Sequence, residues 1–281
     1  MKKILSCIIG GLMFVSSHVT LAAALPQGTA AISLAAGTQH TCALTGNSGV
    51  QCWGDNGYGQ LGNNSTTNSN IPVAVSNLSS GVVQVSAGHQ HSCALLAGGS
   101  VQCWGLNTNG QLGDGTTTFS KVPVNVQGVS GAVQISAGTS HSCALLSTGG
   151  VKCWGDNYYG GLGDGTTTQR LTAVDVLGVA GASGVAAGTL HSCALLNNGQ
   201  VQCWGYNGYG ELGNGVTGTT QSTRVTVSGL TDAASITAGL YYTCVKTTSG
   251  TAKCWGFNAY GQLGNGGTAT ATTPVTVPNL A

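Results

Sequence analysis

The chain has 281 residues, and only 15 of them are charged, 8 basic and 7 acidic, where a soluble protein of this length carries roughly 70. A hydrophobic share of 41% is ordinary and supports a buried core, which excludes a charged, core-poor disordered protein, and the 47 glycines do not make it collagen-like. A formal charge of +1 with no run of Lys or Arg excludes a nucleic-acid partner held by a clustered basic surface.

At the start of the chain Lys2 and Lys3 precede an apolar stretch from Ile4 to Val15, and the small residues Leu21-Ala22-Ala23-Ala24 follow. That order predicts a secretory signal peptide over residues 1–24. The apolar stretch falls short of the roughly 20 residues that span a bilayer, so no membrane span is expected after cleavage. Cys7 has the outline of a lipoprotein cleavage box, but no apolar stretch precedes it. Cleavage after Ala23 or Ala24 removes Lys2 and Lys3 and leaves six basic and seven acidic residues, a formal charge of −1, on a secreted or periplasmic protein.

Residues 25–281 read as a single repeat domain. Trp53, Trp104, Trp154, Trp204 and Trp255 lie 51, 50, 50 and 51 residues apart, and ten cysteines fall in step with them. The repeats run approximately over 31–81, 82–131, 132–181, 182–232 and 233–281. Within the second unit, strands are predicted to end at Ala87-Gly88, to cover His91–Leu96 and Val101–Gly105, and to close with Val122–Val126. Four short strands per unit and no helical periodicity give an all-β chain of radial or stacked antiparallel sheets. The central hairpin centres on Gly98, with Gly99, Gly149, Gly199 and Gly250 at a place that needs a left-handed residue. The first unit has Ser48 there, so a different turn is expected in it.

This register sets Cys42 opposite Cys52, Cys93 opposite Cys103, Cys143 opposite Cys153, Cys193 opposite Cys203 and Cys244 opposite Cys254. An oxidising compartment favours bonding each pair, for up to about 3 kcal/mol each. A metal site is the competing reading. His40, His91, His141 and His191 share a strand face with a cysteine, but Tyr242 breaks the pattern and no fourth ligand recurs.

The residues Ala87 to Leu95, Gly99 to Asn107 and Gly110 to Gly113, with their four counterparts, resemble the regulator of chromosome condensation repeat family across residues 31–280. The resemblance implies a β-propeller of four-stranded antiparallel blades around a central channel, with five blades here where familiar members have about seven repeats. Strands near Ala31–Ala35 and Pro274–Val277 are available for closing a small ring, with an open arc or a ring completed by a second chain as alternatives. The founder is a nucleotide-exchange factor that binds chromatin, a role at odds with an export signal and no basic patch. Secreted bacterial relatives include inhibitors that clamp an enzyme with one face of the ring.

Every candidate for chemistry dissolves into the repeat. Asp55 and Asp156 share one repeat position, Asp114 and Asp164 another, and other copies substitute uncharged residues. They read as loop residues rather than as an acid–base pair, and calcium at Asp114 or Asp164 is poorly supplied with charge. The histidines read as structural within the blades. Glycine-rich segments lack the lysine of a phosphate loop. No catalytic residue, cofactor or metal is expected. Asn56, Asn107, Asn157, Asn207 and Asn258 recur in every copy as loop-ordering residues, and the tryptophans as packing between blades.

What varies points to binding. The loop after each Trp-Gly carries Tyr58, Tyr158 with Tyr159, Tyr206 with Tyr209, and Phe257 with Tyr260. Tyr58, Tyr159, Tyr206, Tyr209, Phe257 and Tyr260 are the candidate partner-binding residues, since tyrosine is enriched at interface hot spots. Phe119, Lys121, Arg170 and Arg224 in the following loops add irregular contacts. The expected function is a non-enzymatic, inhibitor-like module that binds a protein through one rim. The alternatives are an adhesive surface component that binds glycans, an enzyme acting on polysaccharide, and the disfavoured exchange factor.

Overall fold

The computed structural model describes residues 30–279, and the expected signal peptide lies outside the described residues. Blade 1 holds β1 (Ala31–Ala36), β2 (His40–Thr45), β3 (Val50–Gly54) and β4 (Ser69–Ala74). Blade 2 holds β5 (Val82–Ala87), β6 (His91–Leu96), β7 (Val101–Gly105) and β8 (Ser120–Asn125). Blade 3 holds β9 (Ala132–Ala137), β10 (His141–Leu146), β11 (Val151–Gly155) and β12 (Arg170–Asp175). Blade 4 holds β13 (Ala182–Ala187), β14 (His191–Leu196), β15 (Val201–Gly205) and β16 (Gln221–Thr226). Blade 5 holds β17 (Ala233–Ala238), β18 (Tyr242–Thr247), β19 (Ala252–Gly256) and β20 (Ala271–Thr276). Each blade is a four-stranded meander in sequence order, and the described residues contain no helix. The first strands of successive blades approach one another around an axial cavity of about 350 Å³, lined by the Ala-Gly segments that end them.

The second and third strands of blade 2 fall where the alternation and the glycines place them. Its fourth strand starts two residues earlier than expected and ends one earlier, because Ser120 already pairs with Gly105 across a register shift. The hairpin turn is the same in all five blades, which corrects the expectation for the first. Ser48 takes the left-handed conformation itself, at φ 61°, where Gly99, Gly149 and Gly199 lie at 78–80°. Its amide donates to Thr45 O at 2.8 Å, as Gly99 N does to Leu96 O. The Thr45 hydroxyl adds a bond to Gly49 O at 2.9 Å, as Thr247 does to Thr251 O at 3.1 Å in blade 5. Each hairpin aligns its two cysteines, and all five pairs are joined as expected, with Cα atoms 4.0–4.1 Å apart. The sulfurs are therefore spent on one another, which removes the thiolates that the metal reading needs.

Neighbouring blades are joined by a recurring network. In blade 1, Gln60 presents its carbonyl to blade 2, where it accepts the Trp104 indole N–H at 2.8 Å and the Ser92 hydroxyl at 3.0 Å. With its proton committed to that carbonyl, the Ser92 oxygen accepts from His40 Nε2–H at 2.8 Å. The same relay runs from His91 to Ser142, from His141 to Ser192 and from His191 to Thr243, with Trp154, Trp204 and Trp255 on the equivalent carbonyls. Around it lie apolar clusters in which, at the first junction, Leu44, Val50, Leu61 and Leu78 of blade 1 meet Val82, Val85 and Trp104 of blade 2. Four such clusters occupy the four successive junctions. Among the described residues none of these contacts joins blade 5 to blade 1, so the arc is not closed by its own end strands. Gly59, Gly110, Gly160 and Gly210 abut the next blade, whereas Gly261 faces open space.

Candidate functional site

The loop between the third and fourth strands of each blade is long, polar and nevertheless fixed. It turns sharply at the glycine after tryptophan, where φ is 101–109° in every copy, a conformation that side chains resist. The asparagine two residues on is buried and acts as its strut. In blade 2 the Asn107 amide donates to Thr116 O at 3.0 Å and Thr118 O at 3.1 Å, and its oxygen accepts from Leu112 N at 2.9 Å. The same bonds hold Asn157, and Asn56 and Asn258 make close equivalents. One side chain thus satisfies both strands of the loop, and the residues between are free to vary.

The variable residues meet. Tyr159 contacts Tyr158 with ring centroids 4.8 Å apart and Tyr206 at 4.9 Å. Tyr206 reaches Tyr209 at 6.2 Å, Tyr209 reaches Phe257 at 4.9 Å, and Phe257 reaches Tyr260 at 6.0 Å. The contacts are edge-on or tilted, the arrangement aromatic quadrupoles favour. The rings therefore form one unbroken strip across the β11–β12, β15–β16 and β19–β20 loops of blades 3, 4 and 5. Tyr158 and Tyr260 are the most open, at 72% and 89% exposed. Five of the six expected residues share this strip; Tyr58 is exposed but stands apart in blade 1.

Tyr241 is the member that sequence reasoning misses. It lies in the β17–β18 loop, 5.6 Å from Tyr209 and 6.1 Å from Tyr206, and ties the strip to the rim of the axial cavity. The signal was present: the fifth copy reads Tyr241-Tyr242 where the others end in histidine. Below the strip, Glu211 takes a place held by Gln60, Gln111 and Gln262 in other copies. One of its carboxylate oxygens accepts from Tyr209 N at 2.8 Å, and the other is buried without a partner. Burial pushes its carboxyl up to about 7, against the two backbone hydrogen bonds that lower it.

The remaining candidates are accounted for by structure. Asp164 accepts from Thr166 and Asn157 within its loop and pairs with Arg170 Nε at 2.7 Å, and Asp114 makes the same loop bonds without the arginine. Arg224 Nε donates to Gly178 O at 2.6 Å, and both Arg224 and Phe119 are exposed. His40, His91, His141 and His191 are closed off between blades, where burial first of all lowers them to about 3 or 4 and keeps them neutral. Their Ser or Thr neighbours spend the hydroxyl proton on a carbonyl, so the pairs tie blades together rather than make a nucleophile. Among the described residues no three of His, Cys, Asp and Glu converge where they could hold a metal.

The model of the RCC1-like domain matches residues 15–281. Over 99 residues the chain is 42% identical to the probable E3 ubiquitin-protein ligase HERC4 of Mus musculus, a stretch covering 34% of this chain and 9% of that protein. The chain thus aligns with less than a tenth of that relative's length. Among solved structures, human WBSCR16 is similar with a TM-score of 0.80 and 28% identity, over 90% of this chain and 68% of that one. Yeast RCC1 (Prp20), solved bound to Kap60, has a TM-score of 0.74 at 24% identity over 89% of this chain and 64% of its own, a likeness of fold. With five four-stranded blades and a family match over nearly its whole length, the chain belongs to the RCC1-like domain family.

Proposed function

We propose that the protein is an exported, non-enzymatic binding module that engages a protein partner through the aromatic rim of blades 3 to 5. The observation that carries this reading is the strip of Tyr158, Tyr159, Tyr206, Tyr209, Phe257 and Tyr260 with Tyr241, in unbroken contact and open to solvent at both ends. Aromatic side chains give large contact area for little loss of side-chain freedom, and adjacent rings make a surface that truncation penalises heavily. Export is supported by the five disulfides, which persist in oxidising compartments, and by the charge and apolar order of residues 1–24. A non-enzymatic role is supported by the structural duties of the histidines, cysteines and aspartates.

The test is capture from the exported fraction of the source organism and its neighbours, with the oxidised protein and its Tyr206→Ala, Phe257→Ala double variant as paired baits. A specific protein retained by the first and lost from the second supports the reading. Equal retention by two baits of equal thermal stability removes the rim, and retention of polysaccharide alone replaces a protein partner with a glycan.

A further inference from the structure

The two ends of the blade array are built in opposite ways. Each blade turns one face to the blade before it and the other to the blade after. On the first of these faces Val85, Ile135 and Val185 are at most 6% exposed, beside Trp104, Trp154 and Trp204 at 0%. Blade 1 holds Leu34 and Trp53 in these places, yet Leu34 is 65% exposed and Trp53 only half-buried. The Trp53 indole meets no carbonyl among the described residues, although its four counterparts each bond one at 2.8–2.9 Å. Thr41, in the place of Ser92, likewise lacks an imidazole.

The outward face of blade 5 has been converted instead. Leu44, Leu95, Leu145 and Leu195 are buried on the corresponding faces of blades 1 to 4, and Lys246 stands exposed in their place. Val50, Val101, Val151 and Val201 become Ala252, and the histidine becomes Tyr242. A polar outer face is how the terminal unit of a repeat array is capped, and only blade 5 has one. Blade 1 keeps the full apolar set with no neighbour on it among the described residues.

This asymmetry limits what covers blade 1. Closing the ring, or adding copies head to tail, would press Lys246 into a place built for leucine. The strand residues on the facing side, Leu34, Thr41, Trp53 and Asn70, carry no negative charge to offset a buried ammonium. A surface that matches this apolar face without burying Lys246 is the same face on another molecule. We propose that two copies of the chain pair through their blade 1 faces about a two-fold axis, with Leu34 and Trp53 of each copy covered by the other. The contact continues the sheet-on-sheet packing of the four internal junctions. Because it is isologous, it is used up by one partner and stops at two. Blades 3 to 5, with the aromatic strip, stay uncovered in both copies.

The experiment is sedimentation of the oxidised protein over a range of concentrations, with acrylamide quenching of tryptophan fluorescence on the same samples. Four of the five tryptophans are fully buried, so quenching reports Trp53. The expected result is a two-copy species that forms as concentration rises, with protection of Trp53 in parallel. Leu34→Lys, which copies the blade 5 cap at an exposed position, is expected to stay single-copy with unchanged circular dichroism and a quenchable Trp53. A protein that remains single-copy throughout overturns the proposal. So does a protected Trp53 in the single-copy species, which means a ring closed on itself, and so does growth beyond two copies, which means head-to-tail addition.

Discussion

Between each pair of blades sits a histidine that has to be neutral. His40, His91, His141 and His191 give their Nε2 proton to a hydroxyl of the next blade, and Nδ1 of His40, His91 and His191 has no partner. Burial lowers all four to about 3 or 4, below the ordinary 6.5. The unfolded chain therefore binds more protons than the folded one at any pH between these values. The stability these groups contribute is fully present above about pH 6.5 and is lost as pH falls, at up to about 1.4 kcal/mol per histidine per pH unit. The urea midpoint is expected to drop steeply between pH 7 and pH 5, and a flat profile would contradict the neutral relay. Glu211 has the opposite sign. Its carboxyl is raised to about 7, so the folded state holds the extra proton and stability falls as pH rises through that range. Glu211→Gln, the residue of three other copies, is expected to raise stability above pH 7 by on the order of 2 kcal/mol, read from urea unfolding, and to change nothing near pH 4. The sequence made the histidines legible as structural because they recur. It hid Tyr241, whose partners come from loops of two different blades that only the fold brings together.

At the level of the element, the repeating unit is a cysteine-stapled hairpin followed by a loop built on one asparagine. The hairpin was legible because even cysteine spacing and a glycine at the left-handed place leave one register. The first copy, expected to turn differently, keeps the same turn because serine adopts a backbone conformation more often given to glycine. The loop was legible in its strut but not in its course, since the bonds of Asn107 reach residues nine and eleven positions away. Asn107→Ala leaves the carbonyls of Thr116 and Thr118 and the buried Leu112 amide without their partner. The expected loss is about 2–3 kcal/mol, read from the urea midpoint, together with faster amide exchange confined to residues 107–118. A loss below about 0.5 kcal/mol would mean that the loop is held by something else.

Across the whole molecule, the shortage of charge follows from a unit of Gly, Thr, Asn, Ser and apolar strand residues repeated five times, with few places that call for an ion pair. The array, its period and its all-β class were open to reading for that reason, since each strand repeats its evidence in every copy. Whether the ends meet was not, because closure depends on small rotations summed over every junction rather than on any local pattern. Only the comparison of Leu34 with Val85, and of Lys246 with Leu195, shows how the ends differ. The proposed function rests on what the repeat leaves free, the rim of blades 3 to 5. The most direct measurement is the affinity of a captured, purified partner for the oxidised protein and for its Tyr206→Ala, Phe257→Ala variant, with Tyr58→Ala as the control outside the strip. The account predicts at least about a thirtyfold loss for the double variant, as for paired interface hot spots, and none for Tyr58→Ala. Affinities equal within about twofold for all three proteins, at equal thermal stability, would contradict it.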